Sequence, residues 1–359
     1  MTICIVAGAR PNFVKVAPII RAIQKVQAGG HPVAYQLVYA GSASDPTLEP
    51  TLFDDLQMPR PDYYLDADCE SLNELTGRVM SQFERHLDAH PADTVIVVDD
   101  LASTMAVAIV AKKHGLRLAH LVAGTRSFDI SMPKEINRLV IDGLSDLLFT
   151  AGVSANSKAT REGAEQSRIY MVGNILMDSL RYCRDRQRRP ACADQLRLAE
   201  GRYLVLTLNR RALLADAGRL RPMLDAVAAA GLPVVAPLRG EARRVVLSLL
   251  PAASSVSVVE PLSYLEFGWL TAHAQGIVTD SGNVAEEATF NRVPCITLNS
   301  YTEHVETVQT GSNVLVGEDP QRLQQALATL TAGQWKDCAL PERWDGRTAE
   351  RIVQTLTGL

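Results

Sequence analysis

Six cysteines are spread along 359 residues with no CxxC pair among them, and aromatic residues make up only 5%. Cys4, Cys69, Cys183, Cys192, Cys295 and Cys338 sit mostly in apolar segments, which suits reduced, buried thiols and argues against a disulfide frame or a cysteine metal cage. Charge of one sign is scarce as well. The formal net charge is -4 with no long basic run, so nothing tracks a phosphate backbone or an anionic membrane surface. No run of about 20 apolar residues occurs, and Met1-Thr2-Ile3-Cys4 is not a basic segment ahead of a cleavable apolar stretch. A cytoplasmic protein with neither nucleic-acid nor membrane partner is expected. His120, His273 and His304 lack metal-ligand spacing with acids or cysteines, so no metal is expected. Neither half of the chain has GxGxxG after its first strand, which argues against a nicotinamide or flavin dinucleotide.

What is present is a long alternation of strands and helices, in a chain whose length favours two domains. Ile3 to Ala7 is a short apolar run, Gly8-Ala9-Arg10-Pro11 reads as a turn, and Val14 to Val26 carries apolar residues at helical spacing. Strands are expected at Ala34 to Tyr39, Thr94 to Val98, Arg117 to Val122, Leu147 to Thr150 and Ile169 to Val172, with helices at Leu72 to Ala89 and Ser103 to His114. A second series runs through Tyr203 to Leu208, Leu232 to Pro237, Val256 to Val259, Gly276 to Thr279 and Cys295 to Leu298. The pattern predicts an α/β protein of two Rossmann-like doubly wound parallel-sheet domains. The division is placed at residues 1–174 and 175–345, the hinge falling near Gly173 to Ser179, with Arg181 to Pro190 read as a solvated helix end and linker.

In wound parallel sheets, ligands bind beyond the carboxyl ends of the strands. The polar residues there are Gly8 and Arg10, Asp99 and Asp100, Gly124-Thr125-Arg126-Ser127, and, in the second half, Asn209 and Arg210. Two such rows facing each other make a cleft. The competing reading of Asp99 or Asp100 is a cap on the following helix, which Ser103 and Thr104 would open. Thr279-Asp280-Ser281-Gly282-Asn283-Val284-Ala285-Glu286-Glu287 is a strand end, a small-residue turn and a helix with two acids. Free N–H groups and the positive helix end at Ser281-Gly282-Asn283 suit a diphosphate, and an acid one turn later suits ribose hydroxyls. An ordinary helix capped by Ser281 is the alternative.

Several segments, in order, resemble the non-hydrolysing UDP-N-acetylglucosamine 2-epimerases: Gly8-Ala9-Arg10-Pro11 with Lys15-Val16-Ala17-Pro18, His120 to Ser127, and Pro133-Lys134-Glu135-Ile136-Asn137-Arg138. Leu144 to Phe149, Val172-Gly173-Asn174, Asp280-Ser281-Gly282 through Glu286-Glu287, and Thr302-Glu303 continue the series. The resemblance implies a glycosyltransferase-B-type pair of domains, homodimeric, with UDP held mainly by the C-terminal domain and the sugar chemistry on the N-terminal side. Residues 346–359 would form a helix crossing back to the first domain. It implies departure of UDP from C1 as a base removes the C2 proton, then readdition after reprotonation on the opposite face, with no cofactor or metal. Asp100 and Glu135 are the catalytic residues it implies. The implied UDP-sugar contacts are Arg10, Arg126, Arg138, Asn209, Arg210, Tyr264, Ser281, Gly282, Asn283 and Glu287, with Tyr264 beside the uracil or simply packing its helix.

The match is partial inside the site. Val122 stands where the family's His-Val-Glu-Ala-Gly has its glutamate, and Asn209 where its Leu-Thr-Leu-His-Arg has its histidine. Gly41-Ser42-Ala43, Gly282-Asn283 and Thr302-Glu303-His304-Val305-Glu306 also depart from the family pattern. Valine moves no proton, which leaves Asp100 and Glu135 alone or with a relocated partner such as Asp99; Asn209 can donate to a diphosphate but lacks a histidine's charge, a loss Arg210 would offset. Three functions stay open: a divergent 2-epimerase, a hydrolase or glycosyltransferase on the same nucleotide-sugar, and a non-catalytic nucleotide-sugar binder.

Overall fold

A computed structural model of the protein describes residues 1–358; Leu359, the last residue of the terminal segment delimited above, lies outside the described residues. The chain forms two compact units, unit 1 of Met1–Tyr182 with Glu342–Leu359 and unit 2 of Cys183–Pro341. No described helix is long and apolar enough to cross a membrane. All six cysteines are free.

Unit 1 holds seven strands: β1 (Thr2–Ala7), β2 (Ala34–Tyr39), β3 (Tyr63–Tyr64), β4 (Thr94–Val98), β5 (Arg117–Ala123), β6 (Leu147–Thr150) and β7 (Ile169–Met171). They pair in the order β3-β2-β1-β4-β5-β6-β7, every pair parallel. Ile3, Cys4, Ile5, Val95, Ile96 and Val97 are wholly buried, because helices cover both sheet faces and leave no polar alternation in the central strands. Chain order reverses between β1 and β4, the point where such sheets open a crevice at their carboxyl edge. The two-residue β3 was not expected, being too short to show a period.

The helix after β1 runs Arg10–Ala28, so the expected turn shrinks to Gly8-Ala9. The Asn12 side chain explains this: its Oδ1 accepts the N–H groups of Gly8 (2.8 Å) and Ala9 (3.0 Å), closing the loop within one turn. Pro18 lies inside this helix. It has no N–H for the carbonyl of Val14, four residues back, and the buried Ser179 hydroxyl donates to that carbonyl instead at 2.6 Å.

Ser179 belongs to the helix Leu176–Cys183, which is why the first segment of unit 1 ends at Tyr182 and not at residue 174. On the same helix, Asp178 accepts the N–H groups of Thr348 (3.0 Å) and Ala349 (2.8 Å), in the first turn of the helix Thr348–Thr357. The returning segment begins at Glu342, earlier than residue 346, because Trp344 is buried with its indole N–H on the Ala151 carbonyl at 3.0 Å.

Unit 2 holds β8 (Leu204–Thr207), β9 (Val234–Pro237), β10 (Val256–Val259), β11 (Gly276–Thr279), β12 (Cys295–Thr297) and β13 (Asn313–Leu315). Their order is β10-β9-β8-β11-β12-β13, again all parallel. The reversal falls between β8 and β11. The short β13 is the second strand that the sequence pattern did not disclose.

Candidate active site

At the carboxyl edge of unit 1, Asp99 and Asp100 follow β4. Neither caps a helix. The helix begins at Ala102 with Leu101 as its N-cap, and Thr104 turns its hydroxyl to the Val98 carbonyl at 2.9 Å. Asp99 has a left-handed backbone, φ 59°, a conformation that costs a residue with a side chain free energy and needs outside support. Support is dense: Lys15 Nζ lies 2.5 Å from its Oδ1, Asn12 Nδ2 donates to its Oδ2 at 2.7 Å, and its carbonyl accepts from His120 Nε2 at 2.9 Å.

Asp100 presents a different face. Arg138 donates to its Oδ2 through Nε (2.9 Å) and Nη2 (2.6 Å), and Lys134 Nζ stands 3.6 Å from its other oxygen. Asn137 holds its carbonyl at 2.8 Å. The helix Pro133–Leu144 supplies all three contacts, since positions 134, 137 and 138 share one face at helical spacing.

Glu135, on the same helix, is buried. Its carboxylate accepts from the Ser127 N–H (2.9 Å), the Ser127 hydroxyl (2.9 Å), the Phe128 N–H (3.0 Å) and Arg138 Nη1 (3.0 Å). Burial works to raise its pKa, but these donors outweigh burial and hold it below the usual carboxylate value. It is an anchor for the 127–128 turn and for Arg138. Oε2 takes three of these donors and Oε1 one, so the carboxylate is chiefly engaged with the protein.

Arg126 also differs from expectation. Its guanidinium lies buried between Asp142, with Nη1 2.7 Å from Oδ2, and Glu162, to which Nε donates at 2.8 Å. Asp142 in turn takes His120 Nδ1 at 2.5 Å and the Gly124 N–H at 3.0 Å. Burial would raise the Asp142 pKa, but His120 and Arg126 turn the balance and lower it. This network fixes the end of β5 from behind. Most of its donors go to the protein, so Arg126 shapes the rim.

The residue so fixed is Val122, half-buried, with φ 72° at a register shift between Leu121 and Ala123. A β-branched side chain at positive φ is a steric outlier. Gly124 follows at φ 72°, where a Cβ would collide with the Ala155 carbonyl. Arg10, in the first helical turn, stands 3.8 Å from Glu49.

On unit 2, the N–H groups of Asn209 and Arg210 converge on Asp280, Asn209 at 2.8 Å and Arg210 at 2.8 Å from Oδ2. Arg210 sends its guanidinium to Glu318 (2.5 Å) and the Leu298 carbonyl (3.0 Å), so its charge is shared with an acid. Ser281 is the N-cap residue of the helix Gly282–Asn291 but its side chain caps nothing. The first-turn N–H groups at Gly282 and Asn283 therefore lack a side-chain cap, and a Cβ built on Gly282 meets no atom within 4 Å. One turn on, Glu287 is buried, and burial with the neighbouring Glu286 pushes its pKa up to about 8. Glu286 pairs with His304 Nε2 at 3.1 Å. Tyr264, half-buried, is the first residue of the helix Tyr264–Ala272, where Ser263 and Glu266 form a capping box.

Asn12, Asp142, Glu162 and Glu318 were not singled out from the sequence, and Lys15 and Lys134 stood only within quoted motifs without a role of their own. The signal of these residues is otherwise spatial, except that Asn12 stands three residues after Ala9 at the start of a helix, where such a side chain closes turns.

Residues 27–357 match the family described as UDP-N-acetylglucosamine 2-epimerase. The chain belongs to this family. The UDP-N-acetylglucosamine 2-epimerase of Methanocaldococcus jannaschii is 32% identical, with 99% of each chain covered. The UDP-2,3-diacetamido-2,3-dideoxy-D-glucuronate 2-epimerase of Pseudomonas aeruginosa is 34% identical over 88% of each. Among solved structures, that of the M. jannaschii UDP-GlcNAc 2-epimerase in complex with UDP-GlcNAc and UDP superposes with a TM-score of 0.87 at 30% identity, covering 100% of both chains.

Proposed function

We propose that the chain is a nucleotide-sugar 2-epimerase that acts on a UDP-linked 2-acetamido sugar, with UDP leaving C1 as the C2 proton is removed. The observation that carries this reading is Asp100, held by Arg138 and Lys134 at the β1/β4 reversal in a chain similar from end to end to enzymes of that name. Asp100 takes the proton from C2 while the C1–O bond breaks and its electron pair leaves with UDP. Reprotonation of the resulting C1=C2 intermediate on the other face, with return of UDP to C1, gives the epimer. Arg138, oriented by Glu135, holds the Asp100 carboxylate in place. On unit 2, the Gly282 and Asn283 N–H groups bind the diphosphate, Glu287 receives the ribose hydroxyls, and Tyr264 lies against the base. Asn209 supplies a neutral donor to the leaving group. Arg210, tied to Glu318, brings little net charge to it.

The test is proton NMR of UDP-N-acetylglucosamine with the protein in deuterated water. Deuterium at C2 together with a manno product supports the proposal; absence of exchange at C2 under conditions where UDP binds overturns it for this substrate. Val122 favours a second reading, because an apolar side chain at that strained position offers no second proton carrier. In that case UDP appears without C2 exchange, as in a hydrolase or transferase.

The proposal extends to assembly and place. Ile136 and Leu139 are exposed on the outer face of the helix Pro133–Leu144, and Phe128 and Ile130 in the preceding loop are 67% and 74% exposed. Burying such side chains stabilises each by about 1.5–3 kcal/mol, which supports a homodimer through this face. Light scattering on Ile136→Glu should report a monomer. A cytoplasmic location is part of the same reading.

A further inference from the structure

Away from the strand ends, unit 1 has a cavity of about 920 Å³ between three helices, Arg10–Ala28, Leu176–Cys183 and Thr348–Thr357. Its origin is local. Pro18 frees the Val14 carbonyl, Ser179 takes it, and the second helix is thereby pinned to the middle of the first. Asp178 pins the third helix by its first-turn N–H groups. The lining extends along the first helix to Lys25 and to Gly29 just past its end. That helix is about 28 Å long at 1.5 Å per residue, and Arg10, on the catalytic rim, is at its other end.

The lining has two characters. Pro18, Ala22, Val26, Ala349 and Val353 give an apolar floor. At the rim the guanidinium of Arg21 lies over the Tyr182 ring, 3.7 Å from its centroid, a flat platform of the kind on which planar groups stack. Arg181 and Arg347 also line the cavity; Arg181 donates to the Asp345 carbonyl, and neither is paired with a carboxylate among the described residues. Of the acids present, Asp178 accepts two backbone N–H groups, and Glu350 faces Lys25 at 3.5 Å in an exposed pair. An apolar floor with a few polar groups at its edge is the usual form of a small-molecule site.

We infer that this cavity is a second ligand site, taking a small organic anion in which a planar apolar body is joined to a phosphate. The body lies on the floor against the Arg21–Tyr182 platform, and the phosphate meets Arg181 and Arg347, whose forked donors suit it. The site touches Tyr182 and the segment from Gly346 to Glu350, on the two stretches by which the chain leaves and re-enters unit 1.

The experiment uses 4-fluorophenyl phosphate as probe, followed by fluorine NMR line broadening on the full chain, with saturating UDP present throughout. Saturable binding is expected, weakened at least tenfold by Arg181→Glu with Arg347→Glu, and also by Val26→Trp, which fills the floor. Circular dichroism melting checks that each variant is folded, and the two variants act on opposite ends of the probe, so one failing to fold leaves the other decisive. Absence of probe binding, binding unchanged in the folded variants, or inorganic phosphate binding as tightly as the probe would each overturn the inference.

Discussion

Asp100 and Glu135 are both acids of one rim, but their neighbours assign them different work. Asp100 keeps an oxygen whose nearest cation is the exposed Lys134 at 3.6 Å; Glu135 has four donors on it. Asp100→Asn is therefore expected to lower kcat by about 10²–10⁴, the range of a lost general base, while UDP affinity, measured by calorimetry, stays within about twofold. An affinity loss matching the rate loss would place Asp100 in binding instead. Gly282 makes the converse case. Its φ is ordinary and a Cβ there touches nothing in the protein, so Gly282→Ala should leave the melting temperature unchanged and weaken UDP binding about tenfold, equivalent to about 1.4 kcal/mol. Equal UDP affinity would remove the helix end from the site. That Asp100, Ser281 and Gly282 lie within three residues of a strand end was legible from the apolar runs before them. The engagement of Arg126 was not, because its partners Asp142 and Glu162 lie 16 and 36 residues further along the chain.

In unit 1 the helix Leu176–Cys183 is held to the helix Arg10–Ala28 by a polar contact that arises from local chemistry. Pro18 removes one donor from its helix and Ser179 replaces it. Ser179→Ala should cost about 1–3 kcal/mol in urea unfolding, the price of a buried carbonyl left unpaired. In a Pro18→Ala background, where the helix supplies its own N–H again, the same change should cost much less; equal costs in both backgrounds would show that the carbonyl is not the partner that matters. Behind β5, Asp142 balances Arg126 and orients His120. Asp142→Ala leaves a buried guanidinium with one acid fewer, and a loss of about 3–5 kcal/mol is expected, read by the same unfolding curve. The strands and long helices were visible as apolar runs and helical spacing. β3 and β13 were not, since two or three residues carry no period and pair only because a neighbouring strand is already in place.

For the whole molecule, the pH dependence of stability should carry the mark of Glu287. Its pKa is raised by folding from 4.5 to about 8, first by burial and then by Glu286. The folded state thus holds a proton that the unfolded chain releases, so this group's contribution is fully present below pH 4.5 and is lost as pH rises toward about 8. Glu287→Gln should abolish that part of the slope, leaving stability near wild type in acid and a few kcal/mol higher at about pH 9. Parallel curves for the two proteins across this window would contradict a protonated Glu287. Asp178, raised to about 6 mainly by burial, adds a slope of the same sign at lower pH in unit 1. The sequence by itself determined the wound α/β architecture and the positions that end on the strand rims, because burial on both sheet faces and the loops after each strand are local, periodic features. Only tertiary structure decided which of those polar groups remain available to a ligand. Hydrogen-bonding capacity is finite, and whether Glu135 has a lone pair, or Arg126 or Arg210 a donor, to spare depends on partners that come from distant parts of the chain.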